Sequence, residues 1–354
     1  MGKNAYLIVT DLHLSYKNLR NRISYREEIE GVFRELMTVA EKYVAAGYKI
    51  NLLLLGDVFH RSYNSIFNAC VDTSFFYMWR QRYGHIYSVL GNHELSYYQS
   101  NPFYTLVSDI KSERVHMIMN RVWHPVGTQN VIEIVDELQD GEVNFIFNHF
   151  STGVAPVQPG MKNIGLFHSE IVSGKILQSS DMQSGISTFA HPIDIENSGI
   201  VSDYDYCFFG HMHTVYGTFI ADNGTTLCYL ASLGRTNTLE VNDRFLERNI
   251  PAILVEDGVF IKAEDNLFNL PERAACVKES AVTEAHEKAE VQREVTEIKR
   301  TISLGDDPVQ NTQALLAADE LSLSIFNDII ATGSDSYGQE LVKEMMLAAQ
   351  EQVF

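Results

Sequence analysis

The sequence predicts an α/β fold built on a central parallel β-sheet. Residues 52–55 are four consecutive leucines that lead into Gly56-Asp57, a pattern typical of a strand buried on both faces of a layered sheet. A short β-rich run at residues 6–10 comes earlier, and residues 24–46 carry apolar side chains at helical spacing. Strand, helix and strand in this order predict a right-handed βαβ unit with a parallel strand pair.

The remaining elements follow from the same patterns. The first helix is predicted over residues 24–46, with Gly47 as its stop signal, and a second over residues 65–82. A third strand is predicted over residues 86–90, and the later strands come closer together. We expect them to form a second sheet packed on the first. These strands are predicted at residues 115–119, 131–135, 143–147 and 205–209, followed by hairpins with turns at Asn223-Gly224 and Asp257-Gly258.

Changes in composition divide the chain into three parts. Residues 1–270 hold the predicted sheets, and within them residues 151–200 are rich in Gly, Ser, Pro and His with weak periodicity. We interpret residues 151–200 as a long excursion over the face that carries the site. Residues 271–308 predict a charged helical linker. Residues 309–354 predict a C-terminal helix–loop–helix, which either docks on a partner or packs on its own domain.

Composition and charge limit the class of protein. The chain of 354 residues is 45% hydrophobic and 21% charged, as expected of a soluble globular protein. No apolar stretch approaches the ~20 residues that span a bilayer. The four cysteines are scattered without a Cys-x-x-Cys pair, which favours a reducing cytoplasm. The net charge of −19 excludes nucleic-acid binding by a broad basic surface, so any grip on DNA must be local, metal-mediated or supplied by a partner.

Five predicted strands end in residues of the types that bind metal ions. Residues two apart in a strand point the same way, so Asp11 and His13 face one point, and so do His211 and His213. Because open α/β sheets bind ligands at the strand ends, we expect the five motifs to converge. The motifs are Asp11-Leu12-His13, Gly56-Asp57, Gly91-Asn92-His93-Glu94, Asn148-His149 and Gly210-His211-Met212-His213.

The chemistry of these side chains indicates two metal ions. Asp, Asn and His donors without a thiol suit Mn²⁺, Zn²⁺ or Fe better than Mg²⁺ or Ca²⁺. About seven candidate ligands are too many for one tetrahedral ion and fit two ions that share Asp57 as a bridge. Two ions ~3.5–4 Å apart stabilise both oxygens of a phosphoryl displacement and lower the pKa of a shared water toward ~7. His93 is then available to protonate the leaving oxygen or to hold the phosphate.

The motif order DxH, GD, GNH[DE], a single H and GHxH resembles the calcineurin-like metallophosphoesterase superfamily over residues 6–235. The resemblance implies a four-layer α/β/β/α sandwich, here with a C-terminal helical extension, and a dinuclear centre that usually holds Mn²⁺ in nucleases. It also implies that His93 is the catalytic histidine and that Glu94, in place of the more frequent Asp, orients it. It assigns Asp11, His13 and His213 to the first metal, Asn92, His149 and His211 to the second, and Asp57 to the bridge.

Finer features resemble the SbcD-type DNA repair nucleases, particularly their compact bacteriophage versions. They are the DxHL start, GDVFH, GNHEL, the run from Tyr229 to Arg235, and the total length. The resemblance implies a metal-dependent exonuclease or endonuclease that acts on DNA in repair or recombination. It further implies that the closing helices dock on an SMC-like ATPase of the SbcC type, which would supply the grip on DNA. Formation of a homodimer stays open.

Two other functions are open alternatives. A small-substrate phosphoesterase acting on cyclic nucleotides, nucleotides or phosphoproteins is favoured by the acidity and by the absence of a basic stripe, with residues 151–200 as a lid. A binding module with a vestigial metal site is disfavoured, because a decayed site usually loses ligands first and this ligand set is complete.

Several further residues are weaker candidates. Strand alternation points His60 away from the metals, so we expect it to pack or to support a ligand. Arg61 and Arg235 are candidates for phosphate contacts or for plain solvation. An aromatic cluster after the GNHE motif is a candidate for base stacking or for core packing. That cluster is Tyr97, Tyr98, Phe103 and Tyr104, and His168 and His191 lie in the excursion without a spacing that assigns them to the site.

Overall fold

The computed structural model describes residues 3–14, 25–60, 66–96, 101–119, 130–169, 171–172, 193–194, 203–213, 217–221, 223–230, 232–234, 252–255 and 259–262. All of them belong to the first of the two units into which the chain divides, residues 1–285. The predicted linker and C-terminal helices (residues 271–354) lie outside the described residues, as do Arg61, Tyr97, Tyr98, His191 and Arg235. Within the described part, no helix has the length and apolar character needed to cross a membrane.

A mixed six-stranded sheet forms the first half of the core. The predicted leucine strand lies near its centre and pairs in parallel with the first strand of the chain, with Leu52 opposite Leu7. The parallel strands are β1 (Lys3–Val9), β2 (Tyr48–Leu54), β3 (Ile86–Ser88) and β4 (Ile132–Glu133). The hairpin of β13 (Ala252–Val255) and β14 (Val259–Lys262) pairs antiparallel with β1, giving the order β14-β13-β1-β2-β3-β4.

Two long helices pack against this sheet. α1 (Tyr25–Ala45) and α2 (Ile66–Arg82) confirm the two predicted helices. Leu36 of α1 and Trp79 of α2 are buried in one apolar cluster with Leu52 of β2. Three shorter helices follow in the chain: α3 (Asn92–Ser96), α4 (Phe103–Leu106) and α5 (Glu113–Met119).

The prediction of a strand at residues 115–119 is wrong, because these residues are helical in α5. Val115, Met117 and Met119 recur at every second position, which is a strand-like pattern. Val115 is buried, however, while Met117 is 74% exposed, so the three side chains do not share a buried face. The Ser112 hydroxyl accepts a hydrogen bond from the Val115 N–H at 3.1 Å and caps the helix. The helix cap and the burial pattern therefore favour a helix over the strand that the alternating apolar residues predict.

The second six-stranded sheet has the order β11-β12-β10-β7-β6-β5. The interpretation of residues 151–200 as an excursion is wrong for residues 162–168, which form a central strand buried from Asn163 to His168. Parallel strands are β6 (Val143–Asn148), β7 (Lys162–His168), β10 (Tyr206–Gly210) and β12 (Thr226–Tyr229), with β5 (Glu137–Asp140) and β11 (Gly217–Ile220) antiparallel at the edges. A separate pair joins β8 (Ile171–Val172) to β9 (Ile193–Asp194).

The two six-stranded sheets stack through an apolar layer. Ile8 and Leu53 of the first sheet are buried in one cluster with Phe145, Leu166 and Phe208 of the second. Burial of each such side chain stabilises the fold by about 1.5–3 kcal/mol, so this layer holds the sheets together. The helices and the two sheets are three of the four layers of the predicted α/β/β/α sandwich, and the α/β class is confirmed.

Candidate metal centre

The candidate ligands gather at one edge of the two stacked sheets. Parallel strands end at the same edge, so the residues that follow them lie close together. The first sheet contributes Asp11 and His13 after β1, Asp57 after β2 and Asn92 after β3, and the second contributes His168 at the end of β7 with His211 and His213 after β10.

The backbone at this edge is strained at the ligand candidates. Asp11 (φ 49°), His13 (φ 46°), Asp57 (φ 50°) and His211 (φ 82°) all have positive φ angles. Among the described non-glycine residues, Ser151 is the one further example. The left-handed region costs a non-glycine residue on the order of 1–3 kcal/mol, and such strain concentrates at functional sites. The strain therefore supports a functional role for these side chains over simple packing.

Two glycines of the motifs are required by close packing. A Cβ atom at Gly91 would collide with the Asp57 carboxylate, and one at Gly210 would collide with the Thr10 hydroxyl. The glycine that opens each of these motifs therefore allows neighbouring strand ends to approach each other.

The first group of donor atoms comes from Asp11, His13 and His213. The two Nε2 atoms lie 2.8 Å apart, and Asp11 Oδ1 lies 3.6 Å from His13 Nε2 and 3.3 Å from His213 Nε2. Asp11 Oδ2 accepts hydrogen bonds from the Thr10 hydroxyl and the His211 backbone N–H. The buried Oδ1 has no hydrogen-bond partner among the described residues. A carboxylate oxygen and two imidazole nitrogens that face one point fit a divalent cation.

The protonation states of this group also suit a cation. Burial acts to raise the pKa of Asp11, but the neighbouring His13 and His213 rings outweigh it and hold the pKa well below its usual range. Burial, followed by the charge of His213, lowers the pKa of His13. An ionised carboxylate and a neutral imidazole are the forms that bind metal ions.

The second group comes from Asp57, Asn92, His168 and His211. Asn92 Oδ1 lies 3.0 Å from His168 Nε2 and 3.1 Å from His211 Nδ1, and Asp57 Oδ1 lies 3.4 Å from His168 Nε2. The Asn92 amide thus lies beside two imidazole nitrogens and the Asp57 carboxylate. An amide, a carboxylate and two imidazoles that converge on one point are donors that a divalent ion can bind.

The electrostatics of the second group reflect the buried Asp57. Burial acts to raise the pKa of Asp57, but the His168 and His13 charges outweigh it and lower the pKa. Burial acts to lower the pKa of His168, but the Asp57 carboxylate outweighs it and raises the pKa to about 9. Burial, followed by the charge of His168, lowers the pKa of His211 to about 4. The buried negative charge is the kind that a bound cation neutralises.

Asp57 lies between the two groups. Its Oδ1 faces His168 of the second group, and its Oδ2 lies 3.8 Å from His13 Nε2 of the first. The carboxylate therefore faces both groups, the position that a ligand shared by two ions would occupy.

His93 lies beside the two groups. Its Nδ1 donates to the backbone oxygen of His60, which leaves Nε2 facing the site, 3.8 Å from Asp57 Oδ2. The His93 side chain is 22% exposed, so it is open to solvent. His60 contacts the other ring nitrogen of a candidate ligand, since its Nδ1 lies 3.5 Å from His13 Nδ1. This contact fits the expected role of His60 in supporting a ligand.

Comparison with known proteins agrees with this geometry. A family model described as calcineurin-like phosphoesterase matches residues 5–215, more than half of the chain. The chain belongs to the calcineurin-like phosphoesterase family. The resemblance seen in the sequence motifs is thereby confirmed at the level of the superfamily.

No curated protein matches this phosphoesterase. Among solved structures, a dimetal phosphatase from Danio rerio is similar with a TM-score of 0.41 and 9% identity, over 72% of this chain and 93% of that one. A 5'-nucleotidase precursor from Thermus thermophilus is similar with a TM-score of 0.34 and 12% identity, over 81% of this chain and 58% of that one. Neither likeness is strong enough to indicate a substrate.

His149, which the family resemblance assigned to the second metal of the phosphoesterase, lies outside both groups. Its Nδ1 accepts a hydrogen bond from the Leu90 backbone N–H at 3.1 Å, and its Nε2 donates to the Val135 backbone oxygen at 3.2 Å. Both ring nitrogens are therefore engaged with the backbone, and the assignment of His149 as a ligand is corrected.

His168 takes the place that was expected of His149. Its Nδ1 donates to the Leu55 backbone oxygen, which aims Nε2 into the second group. A histidine at the end of an apolar run is the same signal that marks the other ligands. Gly165 interrupts that run and weakens the strand pattern, so the sequence pattern does not mark His168 as a strand-end ligand. A carbonyl bonded to the second ring nitrogen is the usual support of a metal-binding histidine.

Glu94 supports the Asp57 loop rather than the His93 ring. Its buried carboxylate accepts hydrogen bonds from the backbone N–H groups of Asp57 at 2.8 Å, Val58 at 2.9 Å and Gly91 at 3.0 Å. Burial, followed by the charge of Asp57, raises the pKa of Glu94 to about 7. The expected orienting of His93 by this carboxylate is therefore corrected to support of the bridging loop.

Of the aromatic candidates, Phe103 and Tyr104 pack in the core. Both lie in α4 and are buried in the apolar cluster of the first sheet. Core packing, the alternative to base stacking, is their role in the structure.

Proposed function

We propose that this phosphoesterase hydrolyses phosphate esters at a dinuclear metal centre. The observation that carries the proposal is the position of Asp57, whose carboxylate lies between two groups of donor atoms, 3.4 Å from His168 Nε2 and 3.8 Å from His13 Nε2. The buried Oδ1 of Asp11 supports it, because this oxygen accepts no hydrogen bond within the described part of the chain and lies 3.3 Å from His213 Nε2. One cation would be held by Asp11, His13 and His213, the other by Asn92, His168 and His211, with Asp57 bridging them.

The ion that we propose is Mn²⁺, which the resemblance to the nucleases of this superfamily implies. Mixed imidazole and carboxylate donors also suit Zn²⁺ and Fe, while Mg²⁺ ranks lower because it prefers oxygen donors. When bound, two divalent cations neutralise phosphate charge and activate a water at neutral pH.

His93 is the proposed proton donor to the leaving oxygen. Its Nδ1 is held by the His60 carbonyl, so Nε2 is the nitrogen that faces a bound ester. In the protonated ring, Nε2–H can transfer a proton to the leaving oxygen or donate a hydrogen bond to the phosphate.

Within this reaction we propose DNA as the substrate and an SMC-like ATPase of the SbcC type as the partner, in the cytoplasm. The support is the sequence, in which GDVFH, GNHEL and the run from Tyr229 to Arg235 resemble SbcD-type nucleases. The net charge of −19 requires that the grip on DNA be local or come from the partner.

A small phosphoester is the second candidate substrate, and it requires fewer assumptions. The family match and the site geometry support phosphoester hydrolysis without specifying DNA. A chain of net charge −19 also repels a nucleotide or cyclic nucleotide less than it repels a long polyanion.

A substrate panel separates the two candidates. The full chain is assayed with Mn²⁺ on linear duplex DNA, bis-p-nitrophenyl phosphate, cyclic nucleotides and nucleoside monophosphates, alone and with any SMC-like ATPase recovered from the host by affinity pull-down. Cleavage of DNA in preference to the small esters supports the nuclease. Turnover of a nucleotide without DNA cleavage in either format rejects it. Failure to hydrolyse any substrate with Mn²⁺, Zn²⁺, Fe²⁺ or Mg²⁺ rejects the phosphoesterase proposal itself.

A further inference from the structure

His149 joins the two sheets beside the metal centre. It follows β6 of the second sheet, and its Nδ1 accepts the N–H of Leu90, which lies just after β3 of the first sheet. The next residue, Phe150, donates its backbone N–H to the Leu90 carbonyl at 2.9 Å. Both polar backbone groups of Leu90 are thus bound by the two residues that directly follow β6 of the second sheet.

The ring of His149 is suited to this contact. A neutral imidazole has one acceptor and one donor, and here the acceptor Nδ1 takes the Leu90 N–H while the donor Nε2–H goes to the Val135 carbonyl. Among the described residues, the charged groups that face the ring are Arg114 and Asp136, and Arg114 Nε donates to Asp136 Oδ1 at 3.0 Å. Burial, followed by the charge of Arg114, lowers the pKa of His149 to about 3, so the ring stays neutral and Nδ1 keeps its lone pair.

The second donor group depends on how the sheets are placed at this edge. Asn92, two residues after Leu90, comes from the first sheet, whereas His168 and His211 come from the second. Asn92 Oδ1 lies within 3.1 Å of a nitrogen of each histidine, so a shift of the Asn92 backbone by a fraction of that distance would open the group.

We propose that His149 is a positioning residue of the metal centre, fixing the segment Leu90–His93 against the second sheet so that Asn92 meets His168 and His211. The inference rests on the proposed function for its catalytic consequence. The bond that matters is the one from the Leu90 N–H to Nδ1, and the bond from Nε2 to Val135 only holds the ring in place.

Two substitutions separate these bonds. His149→Asn places an amide oxygen near the position of Nδ1 and keeps an acceptor for Leu90, while it gives up the donor to Val135. His149→Gln reaches the position of Nε2, keeps a donor for Val135 and leaves the Leu90 N–H without its acceptor. Each variant leaves one buried backbone group unpaired, so a purely structural role predicts similar effects of both.

The experiment measures Mn²⁺ binding by isothermal titration calorimetry, hydrogen exchange of the Leu90 amide in the metal-free protein, and kcat and KM on bis-p-nitrophenyl phosphate, all with the full chain. For His149→Gln we expect the weaker Mn²⁺ affinity to fall about 10–100-fold, with lower kcat, unchanged KM and faster Leu90 exchange. For His149→Asn we expect each value within about threefold of the parent.

Either of two results would overturn the proposal. One is a His149→Gln variant that binds two Mn²⁺ ions with parental affinity. The other is a His149→Asn variant that loses as much Mn²⁺ affinity as His149→Gln, which would make the histidine a general packing residue. If His149→Gln does not fold, the His149→Asn variant alone decides. A parent chain without hydrolase activity would reject the proposed function, yet it would leave the Mn²⁺-binding and exchange tests intact.

Discussion

β6 and β7 are neighbouring parallel strands, and each leads to a fully buried histidine with an opposite electrostatic environment. Their register pairs Asn148 with Phe167, so His149 and His168 hold equivalent positions one strand apart. Burial and a neighbouring guanidinium lower the pKa of His149 to about 3. The Asp57 carboxylate overcomes burial and raises the pKa of His168 to about 9.

The difference arises from the sheet that lies opposite. His168 meets the end of β2, where Asp57 follows, whereas His149 meets the backbone after β3 and the residues near Arg114. Two histidines with the same local sequence signal therefore do different things, one able to bind a metal ion and the other holding a peptide group. The position at a strand end makes a histidine a candidate ligand, and the charged group that faces it determines whether its ring can bind a metal ion.

The largest effect is expected from Asp57→Asn, which removes the charge that distinguishes the two histidines. We expect both cations to be lost and kcat to fall by at least about 10³-fold, since the shared ligand serves both groups. Metal content by mass spectrometry and kcat at saturating Mn²⁺ measure this. The matched control is Asp109→Asn, an exposed carboxylate that we expect to be silent. Parental metal content in Asp57→Asn would contradict the bridge.

His93→Asn is expected to lower kcat by about 10²–10⁴-fold while both cations stay bound, because the ring moves a proton and holds no ion. The loss should be smaller for a p-nitrophenyl ester, whose leaving group needs little protonation, than for an alkyl ester. Equal losses on both esters would reject the role of proton donor, and loss of a cation would make His93 a ligand.

His168→Asn and His213→Asn are expected to lose one cation each, with kcat reduced about 10²-fold or more. His149→Asn is the control at the equivalent strand end and is expected to keep two. Mn²⁺ stoichiometry from equilibrium dialysis distinguishes the three variants. Loss of one ion in His149→Asn but not in His168→Asn would restore the assignment that the family resemblance implied.

The smallest effect concerns the pH dependence of stability in the metal-free protein. The pKa of His149 falls from 6.5 to about 3 on folding, so its contribution is present above pH 6.5 and is lost as the pH falls toward 3. The pKa of His168 rises from 6.5 to about 9, so its contribution is present below pH 6.5 and is lost as the pH rises through 9.

Replacing His149 should therefore reduce the loss of stability toward acidic pH, and replacing His168 should reduce the loss toward alkaline pH. Each change in the free energy of unfolding should be on the order of 1–3 kcal/mol. Urea unfolding in EDTA between pH 4 and 10 on His149→Asn and His168→Asn provides the measurement, with the parent chain as control. If the pH dependence of the free energy of unfolding stays unchanged in both variants, the facing charges do not set these pKa values.

The sequence predicts the first sheet well because its signals are local. The leucine run before Asp57, the helical spacing over residues 24–46 and the glycine-led motifs each reflect burial or close approach at one strand end. Residues 115–119 mislead because alternation there does not correspond to a buried face. His168 is missed because Gly165 interrupts its strand. The sequence of one strand also does not indicate which charged residue of the opposite sheet will face a histidine.

Two cations are expected to share Asp57, and electron paramagnetic resonance of the Mn²⁺-loaded chain tests this sharing most directly. We expect two Mn²⁺ ions per chain and the spectrum of an exchange-coupled pair, which disappears in Asp57→Asn. A single bound Mn²⁺, or two ions with uncoupled spectra in the parent chain, would contradict the shared site.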